Sequence, residues 1–306
     1  MECNVIELHG VAKHFGVTRA VDGVDLEVRE GELFGLIGHN GAGKTTLFKL
    51  MLGLLAPTAG DVRIDGEAVR GDAFRLVRRR IGYLPESIAL YNNLSGLETM
   101  RFFARLKGAE PGSCRVLLDR VGLGNAARQP VRAYSKGMRQ RLAFAQALLG
   151  TPRILFLDEP TNGLDPEGIG EFYRMLAELR ERGSTVILSS HILAEIQQRV
   201  DRLALMSNGR IRALGTVQSL RDALKLPLCI QATLHDGAEA ALRRLFGGDG
   251  AVDIRISGSN AYLQCGRDRK MAVLGALSTL DGQVLDIQIR ESSLEEVFLG
   301  YAASVQ

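Results

Sequence analysis

The chain has 306 residues, 46% hydrophobic and 24% charged, and its 38 Lys and Arg against 35 Asp and Glu leave a net charge of +3. These are the proportions of an ordinary globular protein with room for two domains, and the charge is too small to argue for a nucleic-acid partner. No apolar run is long enough to cross a membrane, the first residues lack a signal-peptide pattern, and Cys3, Cys114, Cys229 and Cys265 stand too far apart to frame zinc or a disulfide scaffold.

In chain order, Asn4 to Gly66 carries β-branched runs broken by turns, which predicts an antiparallel subsheet. Inside it, Leu33-Phe-Gly-Leu-Ile37 is a short apolar run between glycines, the pattern of a buried strand, and Thr45 to Leu55 has helical periodicity. Ile154-Leu-Phe-Leu157 and Thr185-Val-Ile-Leu188 are two further buried strands. Between them, Glu171 to Arg182 carries a helical stripe at Phe172, Met175, Leu176 and Leu179. This alternation predicts an α/β domain with a parallel core sheet. A composition break at Ser219 to Pro227 precedes a second pattern. Its strands are expected at Leu228–Leu234, Val252–Ile256, Ala261–Cys265 and Val284–Ile289, and its helices at Gly237–Phe246, Lys270–Leu280 and Leu294–Ala302. The leading β-α-β-β-α-β order predicts a small α+β, ferredoxin-like unit.

Gly38-His39-Asn40-Gly41-Ala42-Gly43-Lys44-Thr45 fits GxxxxGK[ST], follows a predicted strand and opens a predicted helix. Such a loop turns consecutive N–H groups around phosphate oxygens at the positive end of a helix. Lys44 would reach the β- and γ-phosphates of ATP, and the Thr45 hydroxyl would ligate Mg²⁺. Asp158, at the end of a buried strand, would hold Mg²⁺ through water, and Glu159 is placed to polarise an attacking water as general base. The bland alternative is a carboxylate pair capping the turn before Pro160.

Tyr134-Ser135-Lys136-Gly137-Met138, followed by Arg139-Gln-Arg141, resembles the LSGGQ signature of ATP-binding cassette (ABC) ATPases. The resemblance covers roughly residues 4 to 218 and implies the fold of a P-loop ABC ATPase: parallel core sheet, antiparallel β subdomain and helical subdomain. It places a nucleotide-binding domain at 1–218 with its helical subdomain at about 88–150, and the composition break sets off an accessory domain at 226–306. Phe15 stands where an aromatic stacks on adenine, a core phenylalanine being the alternative. Gly38 to Thr46 match the P-loop. Tyr83-Leu-Pro-Glu86 stands at the Q-loop, with Glu86 where the family has a metal-facing Gln; the alternative is a carboxylate in solvent. Gly163-Leu-Asp165 matches the D-loop. His191, in Ser189-Ser-His191, matches the switch histidine that orients the water, though a lone histidine is more often a core or capping residue. The signature keeps Ser135 and Gly137 and departs at Lys136 and Met138.

The family pairs its subunits head to tail, so Ser135 and Gly137 of one copy would complete the site on Lys44 of the other. Tyr91 to Glu98, the helix Met100 to Gly108 and the tail Glu291 to Phe298 resemble single-cassette exporter ATPases. That likeness implies a homodimer on an integral membrane transporter subunit, peripheral at the cytoplasmic face of the inner membrane. A soluble ABC ATPase in cofactor assembly is the alternative. Gly38 to Lys44, Phe103-Ala-Arg-Leu-Lys-Gly-Ala109 and Tyr134 to Leu142 further resemble ATPases of transporters that aid copper-site assembly in nitrous oxide reductase. A periplasmic copper-handling protein would then join the complex, while this chain shows no copper-ligand pattern of its own.

Overall fold

Alternation of apolar and polar residues makes β1 (Asn4–Phe15) and β2 (Thr18–Arg29) a long antiparallel hairpin, with Val24, Leu26 and Val28 turned inward between exposed neighbours. The structure is a computed structural model that describes residues 4–223, 228–235, 237–247, 252–280 and 282–290. The chain divides into two compact units, Met1–Thr216 and Val217–Gln306.

The first unit continues with β3 (Leu33–Ile37), α1 (Lys44–Met51), β4 (Ala59–Ile64), β5 (Glu67–Ala68), α2 (Gly71–Arg79) and β6 (Ile81–Leu84). Three helices follow. In α3 (Gly96–Lys107), Ser95 and Glu98 form a reciprocal capping box. After α4 (Ser113–Arg120) comes α5 (Lys136–Ala147), capped by the Ser135 hydroxyl. Then come β7 (Ile154–Asp158), α6 (Pro166–Glu181), β8 (Thr185–Ser190), α7 (Leu193–Ile196), β9 (Arg202–Ser207) and β10 (Arg210–Gly215). One sheet has the order β2-β1-β4-β5, the other β10-β9-β3-β8-β7-β6.

In the six-stranded sheet, β3, β7 and β8 are buried along their whole length, which is why they read as unbroken apolar runs. Phe34, Phe156 and Ile187 pack with Phe48 and Met51 of α1 in one core, and the Phe48 and Phe156 rings meet edge-on with centroids 5.5 Å apart. The register sets Ile37 beside Ser190 and Ser189 beside Asp158. The carboxyl ends of β3, β8 and β7 therefore lie side by side, the place where an open α/β sheet binds its ligands.

Four expectations need correction. The core sheet is mixed: β10 runs antiparallel to β9, because Asn208-Gly209 makes a two-residue hairpin turn. The stretch Asn4 to Gly66 is not one subsheet, since the wholly apolar β3 leaves it for the six-stranded sheet. The helix expected to Leu55 ends at Met51, because Gly53 turns left-handed (φ 63°) and reverses the chain. The helix over 171–182 starts earlier, at Pro166, where Asp165 caps it.

The second unit comprises α8 (Val217–Ala223), β11 (Leu228–Leu234), α9 (Glu239–Phe246), β12 (Val252–Ser257), β13 (Asn260–Cys265), α10 (Lys270–Ser278) and β14 (Val284–Arg290). Its sheet, β12-β13-β11-β14, is antiparallel at every pairing. Ile230, Leu263, Leu242 and Val273 belong to a core of its own. The helix expected at Leu294–Ala302 and the tail from Glu291 to Phe298 lie outside the described residues. Among the described residues, no helix is long and apolar enough to cross a membrane.

Candidate active site

The loop between β3 and α1 is shaped by what its glycines leave out. Gly43 takes φ 107°, and a Cβ there would strike the Ala20 carbonyl oxygen; one on Gly38 would strike that of Met206. No side chain caps the N-terminus of α1, so its first N–H groups are left for an anion. The Asn208-Gly209 turn braces the loop, its Gly209 N–H donating to the Ala42 carbonyl at 3.0 Å.

Lys44 is buried, and its Nζ donates to the Gly38 carbonyl at 2.7 Å and to that of His39 at 3.4 Å. The same Nζ lies 3.2 Å from Glu159 Oε1, an ion pair with both side chains under 10% exposed. Glu159 Oε2 is 2.7 Å from His191 Nδ1. Glu159 thus stands between a cation from the first turn of α1 and an imidazole just past the end of β8. Its backbone is left-handed, φ 49°, unusual for a residue with a side chain. The turn is held by the Glu159 N–H, which donates to Ser189 Oγ at 3.0 Å.

Asp158 is fully buried and accepts from Thr45 Oγ1 at 2.8 Å and from Ser189 Oγ at 2.5 Å. A cavity of about 800 Å³ opens over the loop, lined by Asn40 to Thr46, Glu86 and Glu159, with Val17 and Thr18 across from them. The Tyr83 phenol is pushed up to about 12, by burial first and then by the negative charges of Asp158 and Glu86. The two carboxylates therefore share one neighbourhood. With the Thr45 hydroxyl they offer only oxygen donors, which suits a hard divalent cation better than a soft metal.

Phe15, His39, Ser135, Gly137 and Asp165, all expected site residues, stand apart from this cavity. The Phe15 ring is half exposed with Lys13 Nζ 5.3 Å over it, and the cavity lining begins at Val17. The His39 ring is exposed against the Asn40 carbonyl (2.8 Å), and only its own carbonyl touches Lys44. Ser135 accepts from the Met138 N–H, and Asp165 from the Gly168 N–H, each as a helix cap. A Cβ on Gly137 would sit 3.1 Å from the Gly163 carbonyl oxygen, so the signature and the loop ending in Asp165 lie against each other. Two residues were missed. Ser189 ties Asp158 to the backbone of Glu159, and buried Gln140 donates to the Pro160 carbonyl at 2.8 Å, joining α5 to the loop after β7. Both stand inside segments already singled out, but their partners are 20 to 31 residues away, beyond what local spacing shows.

A cradle of N–H groups, a buried lysine, an oxygen-lined acidic corner and a carboxylate held by a histidine can bind a polyphosphate and activate water against it. The comparisons agree. Residues 21–162 match the ABC transporter family profile. The daunorubicin resistance ATP-binding protein DrrA3 of Streptomyces coeruleorubidus is 36% identical over 98% of this chain and 96% of its own. The bacitracin transport ATP-binding protein BcrA of Bacillus licheniformis is 34% identical over 96% of each. A solved ATP-binding subunit of an ABC transporter, 31% identical, superposes with a TM-score of 0.66 over 72% of this chain and 92% of its own. A dimeric ATP-binding cassette in a post-hydrolysis state bound to ADP and Pi, 27% identical, does so with 0.64 over 69% and 98%. The chain belongs to the ABC transporter family, as an ATP-binding and ATP-hydrolysing subunit.

Proposed function

We propose that two copies of this chain drive an exporter of antibiotic-like molecules, each held by an integral membrane subunit at the cytoplasmic face of the inner membrane. The observation that carries the motor chemistry is the meeting of Lys44, Glu159 and His191 at the carboxyl ends of neighbouring strands. The cargo class is supported by likeness to the daunorubicin and bacitracin proteins along nearly the whole of both chains, second unit included.

In this reading residues 1–218 are the nucleotide-binding domain, with a helical subdomain at about 88–150. Residues 226–306 form a ferredoxin-like accessory domain, supported by its β-α-β-β-α-β order and its sheet order. The P-loop N–H groups and Lys44 hold the phosphates of ATP. Glu159 takes the proton of the attacking water, and His191 keeps its carboxylate aimed. Phe15 stacks on the base from the rim. Ser135, Gly137 and Asp165 meet nucleotide across the interface with a second copy, which accounts for their distance from their own cavity. Thr45, Asp158 and Glu86 would hold Mg²⁺, which supplies charge to the phosphate oxygens.

Glu86 gives this assignment an edge. A carboxylate brings negative charge towards the phosphates unless the metal offsets it. Glu86→Gln should bind ATP about 3- to 5-fold more tightly than the native chain without Mg²⁺ and equally with it. Glu86→Ala should keep ATP binding and lose coupling to the membrane subunit. ATP titrations with and without Mg²⁺ check this, and identical curves for all three proteins would remove Glu86 from the metal shell.

A second reading, in which the transporter aids copper-site assembly in nitrous oxide reductase beside a periplasmic copper-handling protein, is favoured by the phrases at 38–44, 103–109 and 134–142. Among the described residues no three His, Cys, Asp or Glu side chains gather as a metal site, so this chain's share would be the ATP cycle. The test is co-expression with the membrane subunit that co-purifies with it. ATP-dependent efflux of an anthracycline or peptide antibiotic, absent in Glu159→Gln, supports export. Unchanged efflux with copper-deficient nitrous oxide reductase in a deletion strain supports the second reading. Failure to co-purify with any membrane protein in detergent would return the chain to soluble cofactor assembly.

A further inference from the structure

We infer that Glu195 is a positioning residue for hydrolysis: through Thr161 it fixes the register between the segment that carries Glu159 and the segment that carries His191. The inference rests on the reading of Glu159 and His191 given above. Thr161 lies two residues after Glu159, and Glu195 four residues after His191. Thr161 Oγ1 donates to Glu195 Oε2 at 3.3 Å, while Glu159 Oε2 and His191 Nδ1 are 2.7 Å apart. Two side-chain contacts therefore cross between the same two segments, like rungs of one ladder. The outer rung restrains the sliding and twisting that would misalign the inner one.

The setting explains why a polar rung is kept. Glu195 Oε1 is buried and accepts no hydrogen bond, an arrangement an apolar side chain of similar size would avoid. Its surroundings bear on charge as well as packing. Burial raises the Glu195 carboxyl, the Thr161 hydroxyl and the Arg199 guanidinium lower it, Glu159 raises it, and His191 lowers it. Arg199 stacks 4.2 Å over the ring of Tyr173, a buried residue of α6, which fixes that cation beside the carboxylate.

The test uses the full-length chain, with kcat and KM for ATP, ATP binding and melting temperature measured together. Glu195→Ala and Thr161→Val should each lower kcat about 10-fold while KM stays within about twofold, since misplacing a reacting group costs turnover rather than affinity. The double variant should be no slower than either single one, because both remove one interaction. Glu195→Gln keeps an oxygen for Thr161 and Thr161→Ser keeps the hydroxyl, so both should retain roughly half the native kcat or more. Native kcat in Glu195→Ala, or losses that multiply in the double variant, would overturn the inference. If Glu195→Ala does not fold, the Thr161→Val and Thr161→Ser pair decides it alone. Glu159→Gln and His191→Ala are run alongside: native turnover in both would sink the reading of the base itself, a result separate from failure of the second rung.

Discussion

Glu159→Gln should bind ATP and fail to turn it over. The amide keeps the shape that fits between Lys44 and His191 but cannot take a proton from water, and general-base catalysis is worth about 10²- to 10⁴-fold. Phosphate release should fall by that factor with ATP affinity kept, and ATP with Mg²⁺ should accumulate a dimer visible by sedimentation. A second effect follows from the buried ion pair. With the charge at position 159 gone, Lys44 has, among the described residues, only neutral acceptors: the Gly38 and His39 carbonyls and the new amide oxygen. ATP then supplies the missing anion, so it should raise the melting temperature of the variant more than that of the native chain. Turnover within tenfold of native, measured as phosphate release, would mean that another group takes the proton.

Lys44→Ala should lose productive ATP binding altogether. Truncating one member of a buried, hydrogen-bonded charge pair costs about 2–5 kcal/mol, some 30- to 4000-fold in Kd. The same change strips Glu159, 5% exposed, of its only cation within ion-pair distance among the described residues other than His191. Leaving such a charge uncompensated is destabilising by about 3–5 kcal/mol. The variant should therefore show two losses, one in nucleotide titration and one in thermal melting without nucleotide. The double change Lys44→Ala with Glu159→Gln should recover much of the melting temperature and none of the binding. If the double variant melts no higher than Lys44→Ala, the ion pair is not what holds this corner of the fold.

What could be read from the chain alone was whatever is written contiguously. The loop from Gly38 to Thr46 carries its own geometry, because its glycines answer to backbone limits within a few residues. The buried strands at Leu33–Ile37, Ile154–Asp158 and Thr185–Ser190 are legible as apolar runs because both of their faces are covered. The alternation in Leu228–Leu234 is legible for the opposite reason, since every second residue is buried. The β9–β10 hairpin escaped notice although Asn208-Gly209 is a strong turn signal, because the short strands beside it mix arginine with apolar residues. Side-chain partners were the least accessible. Ser189 with Asp158, Gln140 with Pro160 and Thr161 with Glu195 are joined by chain topology, and no local spacing announces them.

The left-handed backbone of Glu159 carries a cost that the chain bears at its most important side chain. Aspartate enters that region several-fold more readily than most residues, so Glu159→Asp would ease the turn without altering the charge. It would also draw the carboxylate back by one methylene, about 1.5 Å, and the 2.7 Å contact to His191 could not be kept. Only the longer acid reaches Lys44 and His191 at once, so the strained turn is tied to spanning both partners. The shorter acid would also draw away from Lys44, and breaking a buried pair costs about 3–5 kcal/mol against about 1–3 kcal/mol for left-handed strain, so the eased turn does not offset the loss. Glu159→Asp should therefore lower melting temperature and turnover together.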